Sequence, residues 1–65
     1  MRFLSRKQVC ALVQLSKAEI ARREAMYDFP QGVKLGNYHN SRVVYVESEV
    51  LDWMARQVTI RDKAR

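Results

Sequence analysis

The sequence predicts a small α+β domain that is mostly helical, and three observations support this fold class. Two serine-capped amphipathic segments follow one another near the amino terminus, two short β-branched stretches come after the single proline, and a longer amphipathic segment closes the chain. At 65 residues the chain has room for one domain with one small core. This order of elements predicts a minimal winged helix-turn-helix, made of a helix-turn-helix, a two-stranded hairpin wing and a closing helix.

The first helix is predicted over residues 6–13. Ser5 and Gln8 have the spacing of a capping box, in which the side chain of each residue accepts a hydrogen bond from the backbone amide of the other. Val9, Leu12 and Val13 then fall on one helical face, with Cys10 at its edge, and we expect this face to pack against the core.

A second helix is predicted to begin directly after Ser16. Ser16 and Glu19 repeat the capping-box spacing, so we expect the Glu19 side chain to reach back to the Ser16 amide. Only Gln14 and Leu15 separate this cap from the first helix. Two helices joined by so short a connection must turn sharply against each other, as in a helix-turn-helix.

The two faces of the second helix differ in chemistry. At the angular spacing of a helix, Ile20 and Tyr27 share one face, which we expect to be buried, while Ala18, Arg22 and Ala25 point away from it. Small side chains would let the helix backbone approach a base-pair edge, and an arginine among them could reach guanine or phosphate. The outward face therefore favours contact with the major groove of DNA.

The adjacent arginines of this helix are predicted to have different roles. Arg22 faces outward, whereas Arg23 lies beside the Ile20 face, where its stem can cover apolar surface and its head can meet water, an acidic neighbour or a phosphate. Because Glu19 and Glu24 are close in sequence, a solvated face with local ion pairs is an equally open interpretation.

A hairpin wing is predicted after the second helix. Pro30 disfavours helical backbone at Phe29, so we expect the helix to end after Tyr27 and Phe29 to close the core. Residues 33–35 and 42–46 have strand character. The side chains of the wing that could contact phosphate or a minor-groove edge are Lys34, Tyr38, His39, Asn40 and Arg42. Two alternatives remain: Tyr38 could pack back onto a strand, and His39 could bind a metal, although no second ligand is near it in sequence.

The closing helix is predicted to begin at Ser48 as its cap. Its apolar face is expected to contribute Val50, Leu51, Trp53, Met54 and Val58 to the core. Beyond it the apolar periodicity ends, so the domain is predicted to span residues 1–58 and residues 59–65 to form a frayed basic tail.

The positive charge lies in one part of the chain. The net charge is +5, and residues 1–46 carry eight basic against three acidic residues, whereas residues 47–65 carry four of each. A charge excess confined to the predicted helix-turn-helix and wing favours a nucleic-acid-facing surface. A charge that serves only solubility is the alternative.

Several classes of protein are disfavoured by composition. A single cysteine excludes an internal disulfide, and one histidine leaves no ligand set for zinc, so we expect no metal and no cofactor. No apolar run approaches the length that crosses a bilayer, so we expect a cytoplasmic protein without membrane contact. Because the sequence has no paired carboxylates, nucleophile-base pair or phosphate loop, we expect neither an enzyme nor a small-molecule substrate.

The order of elements is accompanied by a family resemblance. The stretches "RFLSRKQVCALVQLSKAEIARRE", "FPQGVKLG" and "ESEVLDWM" look like the AlpA-type prophage regulators and their excisionase relatives, which share a minimal MerR-like DNA-binding domain. The resemblance covers about residues 2–57. It implies a sequence-specific regulator of a prophage or genomic island that binds double-stranded DNA, with excisionase activity as a second role. It also implies a monomer in solution that cooperates on adjacent DNA sites and is nucleoid-associated when bound.

The resemblance also assigns positions. It places Ile20 at a buried position and Tyr45 and Trp53 at aromatic core positions. The groove-facing positions of the family fall on Ser16, Lys17, Ala18, Ala21 and Arg22. With the charged and wing residues, the complete set of predicted DNA contacts is Arg6, Lys7, Ser16, Lys17, Ala18, Ala21, Arg22, Arg23, Lys34, Tyr38, His39, Asn40 and Arg42.

Four positions depart from the family pattern. Glu19 stands where the family usually has threonine or serine, Ala21 where it has tyrosine, Glu24 where it has an aliphatic residue, and Tyr27 where it has a helix-ending glycine. These departures leave the angle and length of the second helix open. A second function class also stays open, a protein interaction module such as an antirepressor or a phage assembly factor, in which a similar fold offers its basic face to an acidic protein.

Overall fold

A computed structural model describes residues 1–64 of the chain. The elements in chain order are β1 (Phe3–Ser5), α1 (Arg6–Val13), α2 (Lys17–Ala25), β2 (Val33–Lys34), β3 (Val43–Val46) and α3 (Glu47–Lys63). Helices make up 53% of the structure. The predicted fold class, a mostly helical α+β domain with the arrangement of a minimal winged helix-turn-helix, is confirmed.

Helix α1 has the predicted bounds and the predicted cap, but the expected packing of Leu12 is wrong, since its side chain is 39% exposed. The Gln8 amide donates to Ser5 Oγ at 3.1 Å, and the Ser5 amide donates to Gln8 Oε1 at 2.8 Å. The helix ends at Gln14, whose φ of 61° is left-handed, and the Leu15 amide donates back to the Cys10 carbonyl at 3.3 Å. This closed end turns the chain directly into α2.

The start of α2 confirms only half of the predicted capping box. Ser16 is the N-cap, and its Oγ accepts from the Glu19 amide at 3.1 Å. The reciprocal contact was predicted wrongly, since the Glu19 carboxylate instead accepts from the guanidinium groups of Arg22 and Arg23. Charged donors one turn along the helix are stronger partners for a carboxylate than a neutral amide is.

The end of α2 also differs from the prediction. The helix ends at Ala25 with Met26 as C-cap, and Tyr27 lies beyond it with a left-handed φ of 57°. The Tyr27 amide donates to the Glu24 carbonyl at 3.0 Å, and the Asp28 amide donates to the Arg23 carbonyl at 2.8 Å. These two bonds form the motif that usually ends a helix at glycine. The prediction that Tyr27 shares the buried face is therefore wrong, and its side chain is 85% exposed.

The three strands form one antiparallel sheet in the order β1-β3-β2. The predicted hairpin is confirmed, with Val33 opposite Val44, although its strands are shorter than predicted. The Leu35 amide still donates to the Arg42 carbonyl at 2.8 Å beyond the end of β2. Strand β1 was not predicted, and it pairs with β3 so that Leu4 lies opposite Tyr45.

Helix α3 begins one residue before the predicted cap. Its first residue is Glu47, so Ser48 lies inside the helix, and no side chain caps it at Val46. Strand β3 continues into α3 without a loop, and the Glu47 amide donates to the Arg2 carbonyl at 2.8 Å. The Arg2 carbonyl, next to β1, thus accepts the first amide of the helix, which has no partner within the helix itself.

The apolar face of α3 is narrower than predicted. Val50 and Trp53 are buried and Met54 is half-buried, but Leu51 is 47% exposed and Val58 is 49% exposed. The helix continues to Lys63 and so includes the first part of the predicted tail, residues 59–63. Fraying of this tail in solution stays a prediction, and its last residue, Arg65, lies outside the described residues.

The core joins all three helices to the sheet. Its buried members are Leu4, Val9, Ile20, Phe29, Tyr45, Val50 and Trp53. The Phe29 ring lies between two aromatic rings, with its centroid 4.8 Å from that of Trp53 and 6.1 Å from that of Tyr45. The Trp53 indole donates to the Asp28 carbonyl at 2.8 Å, so its one polar group is satisfied. The predicted buried positions of Ile20, Phe29, Tyr45 and Trp53 are confirmed.

Candidate nucleic-acid interface

One face of α2 is fully open to solvent. Lys17, Ala18, Ala21 and Arg22 are all exposed, and by helical periodicity they form one continuous arc that we call the α2 outer face. Ser16 caps the same end of the helix and is exposed. The opposite side is anchored by Ile20, which is completely buried. The helix therefore presents two small side chains between two cations.

A carboxylate borders this face. The half-buried Glu19 accepts from Arg22 Nη2 with one oxygen, and its other oxygen lies 3.2 Å from Arg23 Nε. The hydrogen bond from Arg22 is the largest cause that lowers the pKa of Glu19 below its ordinary value of 4.5. Local ion pairing, the alternative interpretation of these arginines from the sequence, is thus present in the free protein.

Arg23 lies at the edge of the core, as its position beside the Ile20 face predicted. Its Nη1 is 3.0 Å from Asp28 Oδ2, and its guanidinium carbon lies 5.8 Å from the centroid of the Trp53 ring. Its side chain is 30% exposed, against 67% for Arg22. The two neighbouring arginines therefore differ in mobility, because only Arg23 is held from two sides by carboxylates and from below by a ring.

The wing presents a polar tip. Gly36 has a φ of 125°, which only glycine adopts readily, and Ser41 Oγ accepts from the Tyr38 amide at 3.1 Å. Tyr38 is 76% exposed, so the alternative in which it packs back onto a strand is wrong. All five predicted contacts of the wing, Lys34, Tyr38, His39, Asn40 and Arg42, are exposed.

The amino end of α1 adds two further cations. Lys7 is exposed, whereas Arg6 is half-buried near the Tyr45 hydroxyl. Burial, followed by the hydrogen bond to the Glu24 carboxylate, raises the pKa of that hydroxyl, and Arg6 opposes this shift. Arg6, like Arg23, is therefore beside a core group, unlike the other candidate contacts.

Sequence reasoning missed the contact between Glu24 and Tyr45. The sequence indicated Glu24 only as a departure from the family pattern and as a partner for local ion pairs, but Glu24 is half-buried and accepts from the Tyr45 hydroxyl. The Glu24 carbonyl also accepts from Gln31 Nε2 at 3.0 Å. The only signal in the sequence was the pairing of an acidic departure with a tyrosine that needs an acceptor when buried.

Among the candidate contacts, cations without an ion pair lie on α1, on α2 and on the wing. Within residues 1–64, Lys7, Lys17, Lys34 and Arg42 are exposed and take part in no salt bridge with the chain itself. They lie on α1, α2 and the two sides of the wing. Unpaired cations of this kind are available to an anionic partner without first breaking an internal ion pair.

The fold and this surface define a minimal winged helix-turn-helix protein with cations on its α2 outer face and on its wing. In the comparison with protein families, residues 2–58 match the family described as "Prophage CP4-57 regulatory protein (AlpA)". The chain therefore belongs to this family of prophage regulatory proteins, as its sequence resemblance predicted. The comparisons with curated proteins and with solved structures gave no match. No helix within residues 1–64 has the length and apolar character needed to cross a membrane.

Proposed function

We propose that this protein is a sequence-specific DNA-binding regulator of a prophage or genomic island, and that it binds duplex DNA through α2 and the wing. The observation that carries the proposal is the α2 outer face. Two alanines lie exposed between Lys17 and Arg22, so the helix backbone can come close to base edges while cations flank it. Membership of a family of prophage regulators supports the same conclusion.

Each part of the surface has a proposed role on DNA. Ser16 and Lys17, at the amino end of α2, would meet a phosphate, which the partial positive charge of a helix amino terminus favours. Ala18 and Ala21 would lie against the floor of the major groove and contact thymine methyl groups. Arg22 would read a guanine, because its fork fits the O6 and N7 acceptors of that base.

The remaining contacts would position the protein. Lys34 and Arg42 on the wing, with Lys7 on α1, would neutralise phosphates. The wing tip, residues 38–40, offers donors that would reach a minor-groove edge. Arg6 and Arg23 would contribute mainly to the electrostatic field, since both are partly covered by protein groups.

DNA binding of this kind has two proposed outcomes. One is control of an integrase or excision gene, and the other is bending of attachment-site DNA, as an excisionase does. We propose a monomer in solution that cooperates on adjacent sites and acts in the cytoplasm at the nucleoid. No catalytic step is needed for either outcome, in keeping with a regulatory family.

The proposal is tested by titrating duplex DNA at several salt concentrations, with footprints on the DNA upstream of the gene and across the attachment site of the host element. If about five phosphates are neutralised, log K should fall with log salt with a slope of about −4 to −5. A flat salt response, together with tight binding to an acidic protein, would instead support a protein interaction module.

Two arginine variants connect the test to the geometry. Arg22→Ala should weaken binding to the footprinted site by about 1–3 kcal/mol and relax preference at one base position, with little change in melting temperature. Arg56→Ala is the matched control, since it removes an exposed arginine from α3 and should leave base preference unchanged. Equal effects of the two substitutions would show that α2 does not read bases through Arg22.

A further inference from the structure

A chain of contacts runs from the core to the α2 outer face. It begins at the Trp53 ring, over which Arg23 lies at 5.8 Å, and at Asp28, whose carboxylate is 3.0 Å from Arg23 Nη1. Arg23 Nε then donates to Glu19 Oε2 at 3.2 Å, and Glu19 Oε1 accepts from Arg22 Nη2. We call Asp28, Arg23, Glu19 and Arg22 the arginine relay.

The relay differs from an ordinary surface ion pair in how Glu19 is held. An exposed pair on a helix contributes little, because both long side chains lose rotamer freedom to form it. Here Glu19 is 25% exposed, and both of its oxygens are engaged by arginines. One of these, Arg23, is itself fixed by Asp28 and Trp53. Glu19 thus acts as an ordered acceptor for the far more exposed Arg22.

We propose that Glu19 is a specificity-determining positioning residue, which orients Arg22 for a single base contact and weakens binding to DNA that lacks that base. This inference rests on the proposed DNA-binding function. Arginine has five donors in a rigid fork, so holding one of them at a carboxylate leaves the others pointing in a restricted direction. Arg22 then meets a correctly placed guanine with less loss of conformational freedom than a free arginine would.

The carboxylate also acts against wrong contacts. A free arginine on a recognition helix can turn to the nearest phosphate, which is the same in every sequence. Moving Arg22 to a phosphate would leave a half-buried negative charge with one partner fewer and beside the DNA backbone. Like-charge repulsion of this kind discriminates against non-target partners.

The test compares Glu19→Gln with Glu49→Gln. Each substitution removes one negative charge and keeps the side-chain size, but Glu49 is exposed on α3 and takes part in no salt bridge within residues 1–64. The probes are the duplex that wild-type protein selects from a randomised library and a random duplex of equal length. Both are titrated at several salt concentrations, and each variant also selects its own preferred duplex.

With Glu19→Gln, the preference for the selected duplex over the random duplex should fall about tenfold, with the loss confined to one base position. The salt slope on random DNA should steepen by about one, because the freed Arg22 gains a phosphate. Glu49→Gln should change neither the preference nor the slope. Arg23→Lys keeps the positive charge, but an ammonium group lacks the planar fork of donors with which a guanidinium group bridges two carboxylates. This substitution should therefore relax the preference at the same base position.

If Glu19→Gln and Glu49→Gln strengthen binding to both duplexes equally, Glu19 acts only through net charge and the proposal is overturned. An unchanged selected sequence for Glu19→Gln would overturn it as well. Thermal melts separate these outcomes from unfolding, since a base preference that is lost while the variant is still fully folded at the assay temperature is not an effect of unfolding. The proposed function fails separately, when wild-type protein itself shows no salt-dependent binding to either duplex.

Discussion

The turn after α2 makes a prediction about stability that does not depend on function. Tyr27 has a left-handed φ of 57°, although it is not a glycine, and two backbone hydrogen bonds hold it there. An L side chain in this region brings its Cβ close to a carbonyl oxygen, whereas glycine has no such contact. We therefore expect Tyr27→Gly to stabilise the protein.

The magnitude follows from three contributions. Relief of the left-handed conformation gains roughly 1–2 kcal/mol, while the greater freedom of glycine in the unfolded chain costs roughly 0.5–1 kcal/mol. Little packing is lost, because Tyr27 is 85% exposed. The free energy of unfolding should rise by about 0.5–1 kcal/mol, which for a domain of this size raises the melting temperature by about 3–6 °C.

Urea and thermal denaturation of wild type, Tyr27→Gly and Tyr27→Ala measure this effect. Tyr27→Ala is the matched control, because it removes the ring but keeps the Cβ, and it should be no more stable than wild type. The reasoning is refuted if Tyr27→Gly destabilises the protein as much as Tyr27→Ala does. That result would mean that contacts of the ring outweigh the backbone conformation.

Three further predictions concern charged and hydroxyl groups. Lys34→Ala and Arg42→Ala should weaken binding to specific and random DNA equally and reduce the salt slope by about one each, as titrations would show. Tyr45→Phe leaves the Glu24 carboxylate without its donor and should lower the free energy of unfolding by about 1–3 kcal/mol in urea denaturation. Because folding lowers the pKa of Glu19, its contribution is present above pH 4.5 and is lost as pH falls below that value. Thermal melts across that pH range should therefore show a smaller loss of stability on acidification for Glu19→Gln than for wild type.

Local sequence signals were sufficient where backbone groups find hydrogen-bond partners a few residues away. The caps at Ser5 and Ser16 fix where α1 and α2 begin, and both serines are bonded as the spacing predicted. The turn between the helices followed from the short connection, Gln14 and Leu15, between the end of α1 and Ser16. Hairpin pairing also followed, because β-branched residues on both sides of a polar loop have few other ways to bury one face.

Local sequence signals failed where contacts with distant parts of the chain determine the local structure. Strand β1 has three residues and no readable period, and it is a strand only because β3 offers it an edge. Ser48 does not cap α3, because β3 runs directly into the helix and the Arg2 carbonyl accepts the first amide. Tyr27 looked helical because aromatic residues give no local sign of a left-handed end.

Some features of the candidate site could likewise be predicted from local sequence, and others could not. Exposure of Lys17, Ala18, Ala21 and Arg22 follows from helical periodicity once the buried position of Ile20 is known. The partners of Glu19 do not follow, because a carboxylate at this position can serve either the helix cap or the arginines a turn later. The turn after α2 and the position of α3 decide between them, since Asp28 and Trp53 hold Arg23 in place.

Helix α2 is held by the buried Ile20 and by its short turn from α1, but its polar side-chain contacts with the rest of the domain lie in its carboxyl half, and this asymmetry connects the stability of the domain with its proposed function. Its carboxyl half is tied to α3 through Arg23 and Trp53 and to β3 through Glu24 and Tyr45. A chain of this size buries only about 60% of the surface that it exposes when unfolded, so a few polar contacts can determine the orientation of a helix. Changes at Arg23 or Glu24 would then shift the carboxyl half of α2, where Arg22 lies, and weaken the proposed contact of Arg22 without removing a group that reads a base.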